Sequence, residues 1–178
     1  VGWAREPLSI PPTPGVIDEE SHMALRIKSH WWNDEHERSL DEIGGALAFI
    51  AWRIAVDKAI ALHCERFVYR DDAQRLTVIQ EYLIFLIQIA DRLSHEQLDD
   101  AERRALITAF AKKLVVHVQD NSQDLLGAGD YGSPFLDRLN ARSEEYADFQ
   151  LDDEGPTYPF LRHLGFEIQQ LMGQEEEN

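Results

Sequence analysis

Apolar positions recur at three- and four-residue spacing in five separate stretches of this chain, which predicts an all-α fold: one antiparallel bundle of about five helices. From Leu40 to Val68 two apolar series run side by side, Ile43, Leu47, Ile50, Ile54 and Ala61 on one side and Phe49, Trp52, Val56, Ile60 and Phe67 on another. A helix apolar on two sides needs neighbours on both, so this first helix is expected in the middle of the bundle. Ser39-Leu40-Asp41-Glu42 marks its start, because in a Ser-x-x-Glu pair each side chain accepts the other residue's free amide. A second helix is expected from a cap at Asp71 or Asp72 to about Leu93, with Leu76, Ile79, Leu83, Leu86, Ala90 and Leu93 as its packing seam.

A third helix should run from Asp99 or Asp100 to about Leu126, with Ile107, Phe110, Leu114, Val118 and Leu125 inward and Gly127 as a left-handed stop. Ser133-Pro134 reads as an N-cap and first-turn proline, opening a fourth helix that reaches Phe149 before the acidic stretch Leu151 to Gly155 breaks it. Pro159 opens a fifth, carrying Leu161, Leu164, Ile168 and Leu171 on one face and ended by Gly173. No stretch has the strict alternation of a strand.

The first 22 residues depart from this pattern. They hold four of the seven prolines (Pro7, Pro11, Pro12 and Pro14) and few periodic apolar positions, as an extended arm would. The expected organisation is therefore an arm over 1–22, a helical domain over 23–173 and an acidic tail over 174–178. Ser21-His22-Met23 has the form of a junction before a start at Met23, so the arm reads as an appended segment or a tethered ligand, with Leu8, Ile10, Pro11, Pro12, Pro14 and Val16 as its docking residues.

Composition narrows the function classes. A net charge of -16 repels phosphate backbones and anionic lipid, which argues against direct nucleic-acid binding. The charge is uneven, since beyond Glu144 the many acids face a single Arg162. Cys64 is the only cysteine, so no disulfide forms within this chain and no multi-thiolate zinc site is available, which fits a cytoplasmic protein. The most hydrophobic run, Ile43 to Leu62, contains Arg53, Asp57 and Lys58, too much charge for a membrane span.

Catalytic motifs are mostly incomplete in this chain. A di-iron bundle needs Glu-x-x-His pairs on core helices, and the only one, Glu19 to His22, lies in the arm. Asp71-Asp72 and Asp99-Asp100 lack the third aspartate of a magnesium-diphosphate motif. Carboxylates three apart at Asp34/Glu37, Asp99/Glu102 and Glu145/Asp148 have magnesium spacing but read as solvated faces. Gly127 to Gly132 is glycine-rich without a P-loop lysine, and reads as a connecting turn. No metal site or cofactor is expected.

Three polar or aromatic sets lie near apolar stripes. Arg53 and Asp57, at i and i+4, should pair with each other or with a partner, since an unpaired buried charge is costly. His117, Asn121 and Asp124 follow one another along the third helix, where a histidine could serve acid-base chemistry or simply hydrogen-bond in the core. His63 beside Cys64 has only generic ligand character, and Asp91 with His95 reads as surface. Trp31 and Trp32, after His30, must pack on the bundle or form a binding platform.

The expectation is a non-catalytic interaction module, an adaptor, chaperone or regulator, holding a peptide or partner helix in a helical groove with Trp31, Trp32, Arg53 and Asp57 at its wall. A homodimer through leftover apolar helix surface is a further expectation. The competing reading is a small-ligand binder or metal-dependent enzyme with a polar pocket of Arg53, Asp57, His117 and Asn121.

Overall fold

Caps set the helix starts of this all-α bundle. In the computed structural model, which describes residues 38–65 and 67–173, Ser39 and Glu42 hold each other's amides ahead of α1 (Leu40–Glu65). The Asp71 carboxylate accepts the Gln74 amide at 2.7 Å to open α2 (Asp72–His95). Asp99 and Glu102 form a full capping box at the head of α3 (Asp100–Leu126), and that is the work of this acid pair. Gly127 closes α3 with φ +92°, where a side chain would be strained. Then come α4 (Gly132–Glu145) and α5 (Tyr158–Gly173).

Two local expectations need correction. The fourth helix starts one residue earlier than Ser133, and its capping acceptor is Asp130, whose carboxylate takes the Ser133 amide at 3.1 Å. It also stops at Glu145, short of Phe149. Between α4 and α5 a minimal antiparallel hairpin joins β1 (Leu151–Asp152) to β2 (Gly155–Pro156), too short to leave an alternating signature in sequence.

The larger correction concerns which helix is central. α2 packs against α1, α3, α4 and α5, and its buried residues point in every direction. α1 packs on α3 and α2 through its small residues: Gly44, Ala48, Ala51, Ala55 and Ala59 are buried, while Phe49, Ile50, Ile54 and Ile60 are exposed. Small residues let two backbones approach closely. A Cβ placed on Gly44 would lie 2.9 Å from both the Ala109 Cβ and the Phe110 amide nitrogen. The expected apolar stripes of α1 are therefore split: Leu47, Trp52 and Val56 flank the alanine face and pack on the core, while Phe49, Ile50, Ile54 and Ile60 point away from it. The expected inward positions Leu93, Leu125 and Leu161 are likewise exposed near helix ends or on outer faces.

The main core joins the alanine face of α1 to Leu76, Leu83 and Ile87 of α2, Phe110, Leu114 and Val118 of α3, and Phe135 and Leu139 of α4. An aromatic group continues it toward α5. Tyr146 and Phe160 are fully buried with ring centroids 5.0 Å apart, and Phe85 meets Phe160 edge-on at 5.1 Å. Among the described residues no helix is long and apolar enough to cross a membrane.

Candidate functional site

The central position of α2 puts polar side chains where few sequences tolerate them. Gln74, Glu81 and Gln88 recur every seven residues and are all buried, with Gln80 beside them. Each has a partner on the C-terminal half. Gln74 donates to the Leu171 carbonyl at 2.9 Å, Gln80 accepts from Arg138, and Gln88 donates to the Ser143 hydroxyl at 2.9 Å. Arg92, one turn on, donates to the Phe149 carbonyl at 2.7 Å and to the Tyr146 carbonyl, fastening the end of α4 to α2. Burial pulls the Arg92 guanidinium below its usual range, against the opposing charge of Asp91.

Glu81 is the heart of this column. It is fully buried, and Arg142 Nε donates to it at 3.1 Å while Arg138 stands 3.7 Å away. The same Arg142 reaches Glu145 at 2.8 Å and Glu167 on α5, and His163 lies 3.0 Å from Glu145. One guanidinium thus holds three carboxylates from three helices. Burial would lower the Arg142 pKa, but its hydrogen bonds and the charges of Glu81, Glu145 and Glu167 raise it. Glu167 is pushed up by burial, against the pull of Arg142 and with help from the neighbouring acids. Tyr146 is also raised, by burial first and then by Glu81.

Glu145, His163 and Glu167 bring ligand atoms within 4.8 Å of one another, a geometry that suits a divalent cation. Arg142 already bridges two of them and adds Glu81, so the positive charge at the centre is the protein's own. A partly buried network that ties Glu81, Glu145 and Glu167 to one guanidinium fixes how α2, α4 and α5 dock.

A groove opens on the other side of α4. It has a volume of about 860 Å³ and runs between α2, α3 and α4. Ile87, Ile107, Val115, Leu136, Leu139 and Phe149 give it an apolar floor, and Arg92, Arg103 and Lys112 stand against a single acid, Asp91. Asp91 is thus a groove residue as well as a surface one, paired with Arg103 at 3.5 Å. The Arg103 Nε is buried without a hydrogen-bond partner, and Lys112 has no ion pair among the described residues.

The residues singled out from sequence lie elsewhere. Trp31, Trp32 and the arm positions Leu8, Ile10, Pro11, Pro12, Pro14 and Val16 fall outside the described residues. Arg53 and Asp57 are exposed on α1, with the Arg53 guanidinium 6.0 Å from the Phe49 ring centre. His117 stacks on Trp52 at 5.9 Å, and the Asn121 amide donates to the His117 carbonyl at 2.8 Å. None of the four lines the groove. His63 stacks on Tyr69 at 5.5 Å.

The glycine-rich turn is closed by Gln119, whose Oε1 accepts the amides of Tyr131 and Gly132 at 2.8 and 2.9 Å while its Nε2 donates to the Gly129 carbonyl at 2.8 Å. A phosphate would need those same amides. Sequence reasoning passed over Glu81, Arg142, His163 and Glu167. The available signal was the seven-residue spacing of Gln74, Glu81 and Gln88 inside an apolar helix, together with Arg138/Arg142 and His163/Glu167 one turn apart. Comparison with family models, curated proteins and solved structures gave no match.

Proposed function

We propose that this protein is a non-catalytic interaction module, an adaptor, chaperone or regulator of the cytoplasm, that receives an amphipathic helix or peptide in the groove between α2, α3 and α4. One observation carries the reading: in a chain of net charge -16, the groove pairs an apolar floor with three cations and one acid. An apolar trough of this kind suits the oily face of a helix, and the exposed Lys112 suits acidic side chains flanking that face. The partner is a protein segment rather than nucleic acid, whose phosphates the surrounding acids repel.

Photo-crosslinking tests the reading. With a benzophenone amino acid at Leu136 on the groove edge, the crosslinked segments are expected to share an apolar stripe flanked by acids. Lys112→Glu and Val115→Asp are each expected to lower capture about tenfold, the size of one lost charge pair or one buried apolar contact. Capture indifferent to both changes would remove the groove as the docking site. Leu8 to Val16 is one candidate ligand, and titrating that peptide into protein lacking residues 1–22 decides whether the arm occupies the groove.

A further inference from the structure

We propose that a second copy of this chain packs on the outer face of α1, antiparallel and across a two-fold axis at the level of Ala55. The buried side of α1 is its alanine face. On the opposite side Phe49, Ile50 and Ile60 are 57, 53 and 55% exposed, with Ile54 beside them at 40%. At 100° per residue, Phe49, Ile50, Arg53, Asp57 and Ile60 share one arc of the helix, a strip about 17 Å long at 1.5 Å per residue. Scattered apolar residues are ordinary on a monomer, whereas a continuous strip along one helix marks a contact surface.

The two charges in the strip identify the occupant. Arg53 and Asp57 are four residues apart, a spacing that allows an ion pair within the helix. They do not use it. The Arg53 guanidinium turns back toward the Phe49 ring, and neither side chain makes an ion pair among the described residues. Each is left without its counter-charge in the middle of an apolar strip.

A two-fold axis at Ala55 supplies both at once, setting Arg53 against Asp57 of the second copy and Asp57 against its Arg53. The same axis sets Ile50 against Ile60 of the other copy. A parallel arrangement would instead bring like charges together. No residue of α1 lines the groove, so self-association leaves the groove free for its partner.

Sedimentation velocity and native mass spectrometry of the full chain over a hundredfold concentration range test the proposal. The expected result is a monomer–dimer equilibrium. Arg53→Asp and Asp57→Arg each place four like charges around the axis, and each should weaken the dimer about tenfold or more. The double variant Arg53→Asp/Asp57→Arg restores both pairs and should recover dimerisation. Because both positions are exposed, helicity and the thermal midpoint of the monomer should be unchanged in all three.

A full-length chain that stays monomeric throughout overturns the proposal. So does a dimer that ignores the single reversals, or one that the double variant fails to restore. Dimerisation seen only after deletion of residues 1–37 overturns it as well, and assigns the strip to that segment.

Discussion

At the scale of single residues, the molecule is organised by a carboxylate that never meets water. Glu81 is tolerated because Arg142 hydrogen-bonds to it and Arg138 stands close by. Removing the cation should therefore cost far more than a surface ion pair would. Arg142→Met is expected to lower unfolding free energy by about 3 kcal/mol, since it takes the hydrogen-bonding guanidinium from a buried charge and leaves only the longer contact to Arg138. Adding Glu81→Gln should recover part of that loss by removing the orphaned charge. Urea denaturation of both variants checks this, and a loss below about 1 kcal/mol for Arg142→Met would show that water reaches Glu81.

This arrangement was hard to read in advance for a physical reason. Acids are placed outward by default because burial is costly, and only the partner's position, 61 residues away in the chain, makes an exception affordable. The capping acids Asp71 and Asp99, by contrast, act on amides two or three residues away, and the sequence narrows each cap to one of two adjacent aspartates.

At the scale of elements, helix existence and most starts were legible, while the facing of α1 was not. Periodicity says that a helix has an oily side. It does not say that alanine and glycine can form the buried side when backbones touch. Two adjacent glycines separate these effects.

Gly45 has open space around its would-be Cβ, so Gly45→Ala should stabilise the protein by about 0.5–1 kcal/mol through helix propensity. At Gly44 the same methyl would meet the backbone of α3, which cannot rotate away. Gly44→Ala should therefore destabilise, by about 1–3 kcal/mol, as overpacking does. Thermal melts of the pair are expected to move in opposite directions, and a parallel rise in both would mean that α1 and α3 do not approach this closely. The early end of α4 falls where Tyr146 caps the helix with its ring fully in the core, a tertiary event that periodicity does not record.

At the scale of the whole molecule, the five-helix bundle was legible because each helix carries its own periodic signal. The identity of the central helix was not, because it depends on which surfaces meet. Burial at the junction of α2 with its neighbours has a consequence at high pH. Burial pushes the Tyr69 hydroxyl up to about 12, and burial with the nearby Glu81 charge raises Tyr146 as well.

The unfolded chain loses these protons near pH 10 while the folded chain keeps them. Stability is thus intact below pH 10 and falls as pH rises through the folded-state values. Absorbance at 295 nm followed alongside circular dichroism should show Tyr69 and Tyr146 ionising late, together with the loss of helicity. Ionisation of Tyr69 and Tyr146 near pH 10 while the helices remain intact would contradict their burial.

The polar column on α2 also limits how this gene product can change in length. Gln74, Glu81 and Gln88 meet α5 and α4 from one side only because they are spaced in sevens. A single-residue insertion or deletion between Gln74 and Gln88 would rotate everything beyond it by about 100° and set Glu81 or Gln88 against hydrocarbon. Between Asp152 and Gly155, where only a two-residue ladder must close, added residues would hang in solvent at little cost. Variation in chain length should therefore collect in the hairpin and spare α2.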